Sequence, residues 1–77
     1  MINGLSLFSG IGGITVALSE WVRPILYCEI DRYCQATLRS RIRDEKIEDA
    51  PIWPDVRTLR GGYFEEAAVD IIYGGFP

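Results

Sequence analysis

A short apolar run that breaks into glycines near the start of the chain constrains the fold more than any other feature. Leu5 to Phe8 is followed by Gly10, Gly12 and Gly13, and a helical pattern follows. This order predicts a strand, a tight turn and a helix, which is how a doubly wound α/β sheet begins. Glycines at such a turn can adopt positive φ and leave room for a ligand beside the backbone. The free N–H groups of the next helix can then receive an anionic group.

Two helices are predicted from apolar side chains that recur at helical spacing. The first begins at Gly12 and ends before Pro24, because the residue before a proline is pushed out of the α region. Its expected apolar face consists of Ile14, Ala17, Leu18 and Trp21. Asp31 is a good N-cap for the second helix, whose expected apolar face consists of Cys34, Leu38 and Ile42. The secondary structure of Thr58 to Ala68 stays open. Gly61 and Gly62 interrupt any helix there, although Tyr63 to Ala68 could form one or two helical turns.

Four strands are predicted: Leu5 to Phe8, Ile25 to Cys28, a short edge strand within Ala50 to Asp55, and Val69 to Tyr73. Pro51 and Pro54 forbid a long central third strand. Strands that alternate with helices imply a parallel sheet with right-handed crossovers. The expected strand order is 3-2-1-4, with a ligand site beyond the carboxyl ends of the strands, at the switch point between strands 1 and 4. Four features fall on those ends: the glycine turn, Glu29, Asp55 and Gly74 to Pro77.

Composition excludes several classes of protein. The chain has 77 residues and a formal net charge of -3, so it carries no basic footprint for nucleic acid, and any such contact must be local or lie elsewhere. Cys28 and Cys34 form neither a CxxC pair nor a zinc pattern and are interpreted as reduced, structural thiols of a cytoplasmic protein. The sequence has no apolar run long enough for a transmembrane helix and no signal-peptide pattern, so no membrane association is expected.

The glycine turn matches neither common phosphate-binding loop. Thr15 stands where a dinucleotide-binding GxGxxG pattern has its third glycine, and no lysine follows as in a P-loop. The loop therefore suits a cofactor without a triphosphate, or it is a plain strand-to-helix turn. In nucleotide-binding folds, an acidic residue about 20 residues after the glycine turn binds the ribose hydroxyls. Glu29 lies at about that distance after Gly10. The alternative for Glu29 is a helix cap, a role that Asp31 fills better.

Asp55, at the end of the third strand, could accept a hydrogen bond from an adenine amino group while its neighbour's N–H serves a ring nitrogen. Asp in Pro-Asp-Val is also an ordinary turn residue. Phe8 and Ile30 could sandwich a flat base, although for either residue alone core packing is the more common role.

Four ordered motifs resemble the first motifs of DNA (cytosine-5) methyltransferases: Leu5 to Gly13, Tyr27 to Asp31, Pro54 to Val56, and Asp70 to Pro77. The similarity covers nearly the whole chain at family-like spacing. It implies an S-adenosylmethionine-dependent enzyme of the kind found in restriction–modification. The implied fold is α/β, a truncated Rossmann-like methyltransferase fold with a parallel sheet of about four strands. Residues 1–77 would then be the N-terminal part of an incomplete cofactor-binding domain.

The resemblance also implies a role for each candidate residue. Phe8 would stack on the adenine, and Ile30 would pack on the base where some members carry an aromatic residue. Glu29 would bind the ribose hydroxyls, and Asp55 and Val56 would read the adenine edge. The backbone from Gly10 to Gly13, with Ile11 among its residues, would hold the methionine part, and Gly75 and Pro77 would close the site near the methyl group. Ser9 would be a further cofactor-binding residue.

In the family the last motif continues from proline into the nucleophilic cysteine. That thiolate attacks C6 of a flipped-out cytosine, and C5 takes the methyl group, leaving S-adenosylhomocysteine. The cysteine is expected directly after Pro77, so no catalytic residue is expected within these residues, and the 77-residue chain alone is predicted to be inactive. DNA is the expected partner of the full-length enzyme, with little or no contact from this portion.

Three alternatives remain open on the sequence. The chain could be a non-catalytic cofactor-binding subunit of a split methyltransferase with a complementing C-terminal half. It could be a fragment of an RNA cytosine-5 methyltransferase. The third alternative is half of a nicotinamide-dependent dehydrogenase. Thr15 argues against it, because this residue stands where the dinucleotide-binding pattern has a glycine. In this chain the apolar fourth strand, Val69 to Tyr73, would form an exposed edge, which predicts either self-association through it or disorder near the C-terminus.

Overall fold

The computed structural model describes residues 1–60 and 69–75. In chain order the elements are β1 (Ile2–Leu7), α1 (Gly13–Ala17), β2 (Val22–Cys28), α2 (Arg32–Arg43), β3 (Ile52–Trp53), a 3-10 helix (Val56–Thr58) and β4 (Ile71–Gly74). None of the described helices is both long and apolar enough to cross a membrane.

The strands form one sheet in the order β3-β2-β1-β4. β1 pairs in parallel with both β2 and β4, and Leu5 lies opposite Leu26 on one side and Ile72 on the other. β3 adds two residues to the outer side of β2. The predicted fold class and the strand order 3-2-1-4 are therefore confirmed. Because all four strands run the same way, their carboxyl ends lie at one edge of the sheet, which is where ligands bind in such folds.

β1 and β2 are both longer at their amino ends than predicted. β2 begins at Val22 and contains Pro24, a residue that cannot donate to a sheet ladder. The pairing of β1 with β2 shifts between Gly4 and Leu5, so that the register passes from Pro24 to Leu26. This bulge accommodates the proline within the sheet. Gly4 is needed there because a Cβ atom would lie 2.5 Å from the Val22 side chain.

The prediction for the first helix is wrong in length and in its buried face. α1 has five residues and ends at Ala17. The chain then turns, and the amides of Trp21 and Val22 both donate to the Leu18 carbonyl oxygen, at 2.9 Å each. Trp21 therefore lies outside the helix and is 62% exposed, and Ile14 is also exposed. The buried residue of α1 is Thr15, which belongs to a different face from the predicted one.

The second helix follows its prediction closely. Asp31 caps it, since its side chain accepts a hydrogen bond from the Cys34 amide at 2.9 Å. Leu38 is fully buried, while Cys34 and Ile42 are half-buried. Leu38 packs in one core cluster with Tyr27. A helix of this kind is held mainly by such an apolar face packed on the sheet.

Alternating residues of β2 face two separate parts of the core. Tyr27 joins the cluster under α2, and its hydroxyl donates to the Glu48 carbonyl oxygen at 2.7 Å. Leu26 and Cys28 join Leu5 in a second cluster, against which Val56 and other partly buried residues pack. The end of β2 is therefore fixed from both faces of the sheet.

The remaining strand predictions need small adjustments. The third strand is the short edge strand expected from Pro51 and Pro54. The fourth was predicted from Val69 to Tyr73 and is observed as Ile71–Gly74. The possible helical turns before Val69 fall on residues 61–68, which lie outside the described part of the chain. The predicted site residue Pro77 also lies outside it.

Candidate functional site

The turn after β1 bends sharply away from the sheet through left-handed backbone. Phe8, Gly10 and Gly12 have φ values of 50°, 59° and 91°. Gly12 donates its N–H to the Ser9 carbonyl oxygen at 3.0 Å, and the Ser9 and Ser6 hydroxyls are hydrogen-bonded at 2.8 Å. Positive φ is uncommon for an aromatic residue and is often held in place at functional sites. The turn therefore presents Phe8 at the end of β1 in a fixed, costly conformation.

Glu29 ties this turn to the end of β2. Its Oε1 atom accepts from the Gly10 amide at 2.6 Å, and its Oε2 atom accepts from the Asp31 amide at 2.9 Å. The Glu29 backbone is also held, because its N–H donates to the Trp53 carbonyl oxygen and its carbonyl oxygen accepts from the Gln35 side chain. A carboxylate offers about four lone-pair sites. Glu29 is thus oriented by two amides and keeps acceptor capacity for a ligand.

A cavity of about 310 Å³ lies at the carboxyl ends of β1 and β2, and its lining residues are Phe8, Cys28, Glu29, Ile30, Asp55, Val56 and Arg57. Five of these were predicted from the sequence to bind the adenosine part of a cofactor. Phe8 and Ile30 leave apolar surface exposed at the cavity, while the carboxylates of Glu29 and Asp55 supply acceptors. An apolar pocket with a few polar groups is the usual form of a small-molecule site.

Asp55 is held by one neighbour, Arg57, on the 3-10 helix that follows β3. The Asp55 Oδ1 atom accepts from the Arg57 amide and from its Nε atom, both at 3.0 Å. The Oδ2 atom accepts from Nη2 at 2.8 Å. These side-chain and backbone hydrogen bonds from Arg57 hold the pKa of Asp55 below its usual range. Asp55, which lines the cavity, is therefore ionised at neutral pH, and its carboxylate can only accept hydrogen bonds.

Neither cysteine has the environment of an activated nucleophile. Burial raises the pKa of the Cys28 thiol, and the nearby Asp55 and Glu29 carboxylates raise it further. Partial desolvation and Asp31 raise the pKa of Cys34. Reactive cysteines need the opposite, a lowered pKa beside positive charge. Both thiols are free, in keeping with the structural role predicted for them.

A second cavity, of about 230 Å³, opens at the switch point between β1 and β4 and adjoins the first through Phe8. Its lining includes Leu7, Tyr73, Gly74 and Gly75. Gly75 therefore lies where the sequence placed it, at the end of the fourth strand. The remaining candidates of the turn, Ser9, Gly10, Ile11 and Gly13, line neither cavity. Ile11 is exposed, Ser9 is bonded to Ser6, and Gly13 begins α1.

A larger cleft, of about 510 Å³, lies between α1 and the segment after α2, beside the amino ends of β1 and β2. None of the predicted cofactor-binding residues lines it. Its position at the opposite edge of the sheet makes it a poor candidate for a ligand site in a parallel α/β fold.

Two contacts were not predicted from the sequence. The first is the Arg57 clamp on Asp55, for which the only signal is an arginine two residues after the acid. The second joins α1 to β4 through the hydroxyls of Thr15 and Tyr73, which lie 2.9 Å apart. No sequence signal links that pair. It anchors the start of α1, and with it the glycine turn, to the neighbouring strand.

Comparison with known proteins agrees with this geometry. A family model described as C-5 cytosine-specific DNA methylase matches residues 2–77. The chain is 35% identical over 74 residues to the type II methyltransferase M2.BsuMI of Bacillus subtilis (strain 168), covering 95% of this chain and 17% of that protein. It is 34% identical over 73 residues to the type II methyltransferase M.CviJI of Paramecium bursaria Chlorella virus IL3A, covering 95% of this chain and 18% of that protein.

The chain thus spans less than a fifth of the length of either relative. The match runs through all four motifs that carry the resemblance, and it makes the dehydrogenase interpretation wrong. The chain belongs to the C-5 cytosine-specific DNA methylase family.

Proposed function

We propose that this chain supplies the adenosine-binding part of the S-adenosylmethionine site in a DNA cytosine-5 methyltransferase. The observation that carries the proposal is the cavity in which Phe8, Glu29 and Asp55 meet. The three residues come from three separate motifs and reach one place only because the strands are parallel and adjacent. Such a grouping at the carboxyl ends of strands is how nucleotide-like cofactors are held in α/β folds.

The residues present fit an adenosine group. A flat base would lie against Phe8 and Ile30, whose exposed apolar surface it would cover. The Asp55 carboxylate would accept from the base amino group, and the Val56 amide would serve a ring nitrogen. Glu29 would accept from the ribose hydroxyls with the lone pairs that its two backbone partners leave free.

The methionine and methyl end would lie toward the second cavity. The backbone from Gly10 to Gly13 would hold the methionine part, and Gly75, which lines that cavity, would close the site near the methyl group together with Pro77. When bound, the cofactor supplies an electrophilic methyl group at its sulfonium. This chain's own residues bind and orient the group. The raised pKa values of Cys28 and Cys34 leave neither cysteine as an attacking thiolate.

In the whole enzyme, we propose, a cysteine thiolate after Pro77 would add to C6 of the cytosine and would leave it again once C5 has taken the methyl group and lost its proton. DNA is the proposed substrate, bound by residues outside this chain, whose net charge of -3 gives little attraction for phosphates. A complementing C-terminal portion is therefore required for activity. The two free thiols favour a cytoplasmic location.

Isothermal titration with S-adenosylmethionine and S-adenosylhomocysteine tests the proposal. We expect the chain to bind both, and Glu29→Ala to weaken binding by roughly tenfold or more, because hydrogen bonds to a charged group are lost. Glu20→Ala removes a carboxylate outside the cavity and is the matched control. Circular dichroism of each variant separates loss of binding from loss of fold. Equal binding by the chain and Glu29→Ala would remove Glu29 from the site.

A further inference from the structure

The Arg57 clamp on Asp55 is more elaborate than a surface ion pair requires. The Arg57 side chain is 79% exposed, while Asp55 is mostly covered. Exposed ion pairs stabilise a fold little, because solvent screens them and both side chains lose freedom. Yet three nitrogens of one residue, the amide, Nε and Nη2, converge on this carboxylate. The geometry fixes the orientation of an acceptor beside the cavity, an effect separate from any stability that the ion pair adds.

The hydrogen bonds from Arg57 leave the Asp55 carboxylate with a limited capacity to accept further hydrogen bonds. Oδ1 accepts from both the amide and Nε of Arg57, which accounts for its two lone pairs. Oδ2 accepts from Nη2 at 2.8 Å, with Nε at a longer 3.2 Å. One good acceptor position therefore remains, and it belongs to Oδ2. The fork of the guanidinium also prevents the carboxylate from rotating, since rotation would break two hydrogen bonds together.

We propose that Arg57 is a positioning residue that holds Asp55 as a single oriented acceptor and thereby makes the site select a 6-amino purine over a 6-oxo purine. This inference rests on the proposed function, because it assumes that adenosine occupies the cavity. It assigns to Arg57 a part in cofactor specificity without contact between Arg57 and the reacting atoms.

The hydrogen-bonding edges of the two purines explain the selectivity. Adenine presents an amino donor at position 6 and an acceptor at ring nitrogen 1, whereas hypoxanthine presents an oxygen acceptor at position 6 and a donor at nitrogen 1. A fixed Asp55 meets the amino group of adenine but faces the oxygen of hypoxanthine, which places two acceptors together. A carboxylate released from Arg57 could turn toward the N–H at position 1 and tolerate the wrong base. Buried or fixed polar groups left unpaired are what give such sites their discrimination.

The test compares two ligands that differ only at the base edge, S-adenosylhomocysteine and S-inosylhomocysteine. Their dissociation constants are measured by titration calorimetry for the chain, Arg57→Gln and Arg57→Lys, with Arg39→Gln on α2 as the control for loss of one positive charge. We expect the preference for the adenosyl ligand to fall roughly tenfold in Arg57→Gln. It should fall in Arg57→Lys as well, because lysine keeps the charge but lacks the planar fork. Arg39→Gln should keep the full preference.

Several outcomes overturn the inference. An unchanged preference in Arg57→Gln removes Arg57 from specificity. Full preference in Arg57→Lys shows that charge alone is sufficient. Tighter binding of the adenosyl ligand in Arg57→Gln at an unchanged preference shows that Arg57 competes with the cofactor for Asp55. Failure of the unmodified chain to bind S-adenosylhomocysteine instead refutes the proposed function itself, and the inference with it.

Discussion

At the scale of single residues, the candidate site holds two carboxylates in place by different means. Glu29 is fixed by backbone amides of the glycine turn and of the α2 cap. Asp55 is fixed by the backbone and side chain of a single arginine. Both arrangements orient an acceptor before any ligand arrives, so that less freedom is lost on binding. The arrangement at Glu29 depends on the fold as a whole, and the arrangement at Asp55 depends on one neighbouring residue.

Asp55 should make the stability of the chain depend on pH in the acidic range. Its pKa is below the ordinary value in the folded state, while in the unfolded chain it returns to about 3.9. The stabilisation is therefore complete above about pH 4 and is lost as the pH falls through the lower folded value. Asp55→Asn should destabilise the chain at pH 7, and the difference from the unmodified chain should shrink below pH 4. Urea unfolding across this range measures it.

Asp44→Asn is the control, since Asp44 forms a looser, exposed ion pair with Arg43 at 3.4 Å. It should change stability little at pH 7. A destabilisation by Asp55→Asn that stays constant down to pH 2 would show that the ionised carboxylate contributes nothing to stability.

What the sequence reveals at this scale depends on how local the contact is. Asp31 as the cap of α2 follows from residue type and position, and Glu29 as a candidate site residue follows from its distance after the turn. The bond between Thr15 and Tyr73 joins residues 58 apart, and no local pattern encodes it. Arg57 lies close to Asp55 in sequence, but its role depends on a side-chain conformation that residue type alone does not specify.

At the scale of elements, the pairing of β1 with β4 depends on a glycine at the end of β4. A Cβ atom added to Gly74 would collide with the backbone carbonyl oxygen of Leu7. Backbone cannot move aside without breaking the ladder, so this strand end has no room for any side chain. The adjacent Gly75 has no described atom within 4 Å of the same added Cβ.

The two neighbouring glycines give a matched test of that pairing. Gly74→Ala should destabilise the chain by at least the roughly 1–3 kcal/mol typical of overpacking. It should also loosen the cavity at the switch point. Gly75→Ala should leave the free energy of unfolding within about 0.5 kcal/mol. Thermal unfolding of the two variants checks this, and equal midpoints would mean that β4 does not lie against β1 as described.

Element order was predictable, and element length less so. The alternation of strand and helix patterns yields the parallel sheet and its strand order, because few topologies satisfy right-handed crossovers. The predicted first helix is too long because Trp21 continues the apolar spacing, whereas in the structure a turn at Leu18 ends the helix first. The predicted second strand begins too late, after Pro24, because the bulge that accommodates this proline depends on pairing with Gly4. Both errors come from tertiary contacts that override a local pattern.

At the scale of the whole molecule, the two outer strands of the sheet differ in how they resist further pairing. β3 has two residues and is flanked by Pro51 and Pro54. Short strands and prolines discourage the addition of another strand. β4 has four residues with no proline between Ile71 and Gly74, and among the described residues it pairs with β1 alone. Ile72, on this strand, is 61% exposed.

This asymmetry predicts that the isolated chain associates with itself through β4. An apolar strand with unpaired backbone groups is a template for another strand, and a second copy offers the same edge. Sedimentation velocity should show dimers or larger species that increase with concentration. Ile72→Lys should shift the population to monomer, because an edge lysine opposes strand addition. Ile14→Lys, at an exposed position on α1, should not. A chain that stays monomeric at every concentration would show that this edge is not open to pairing, and equal effects of the two lysines would place the contact elsewhere.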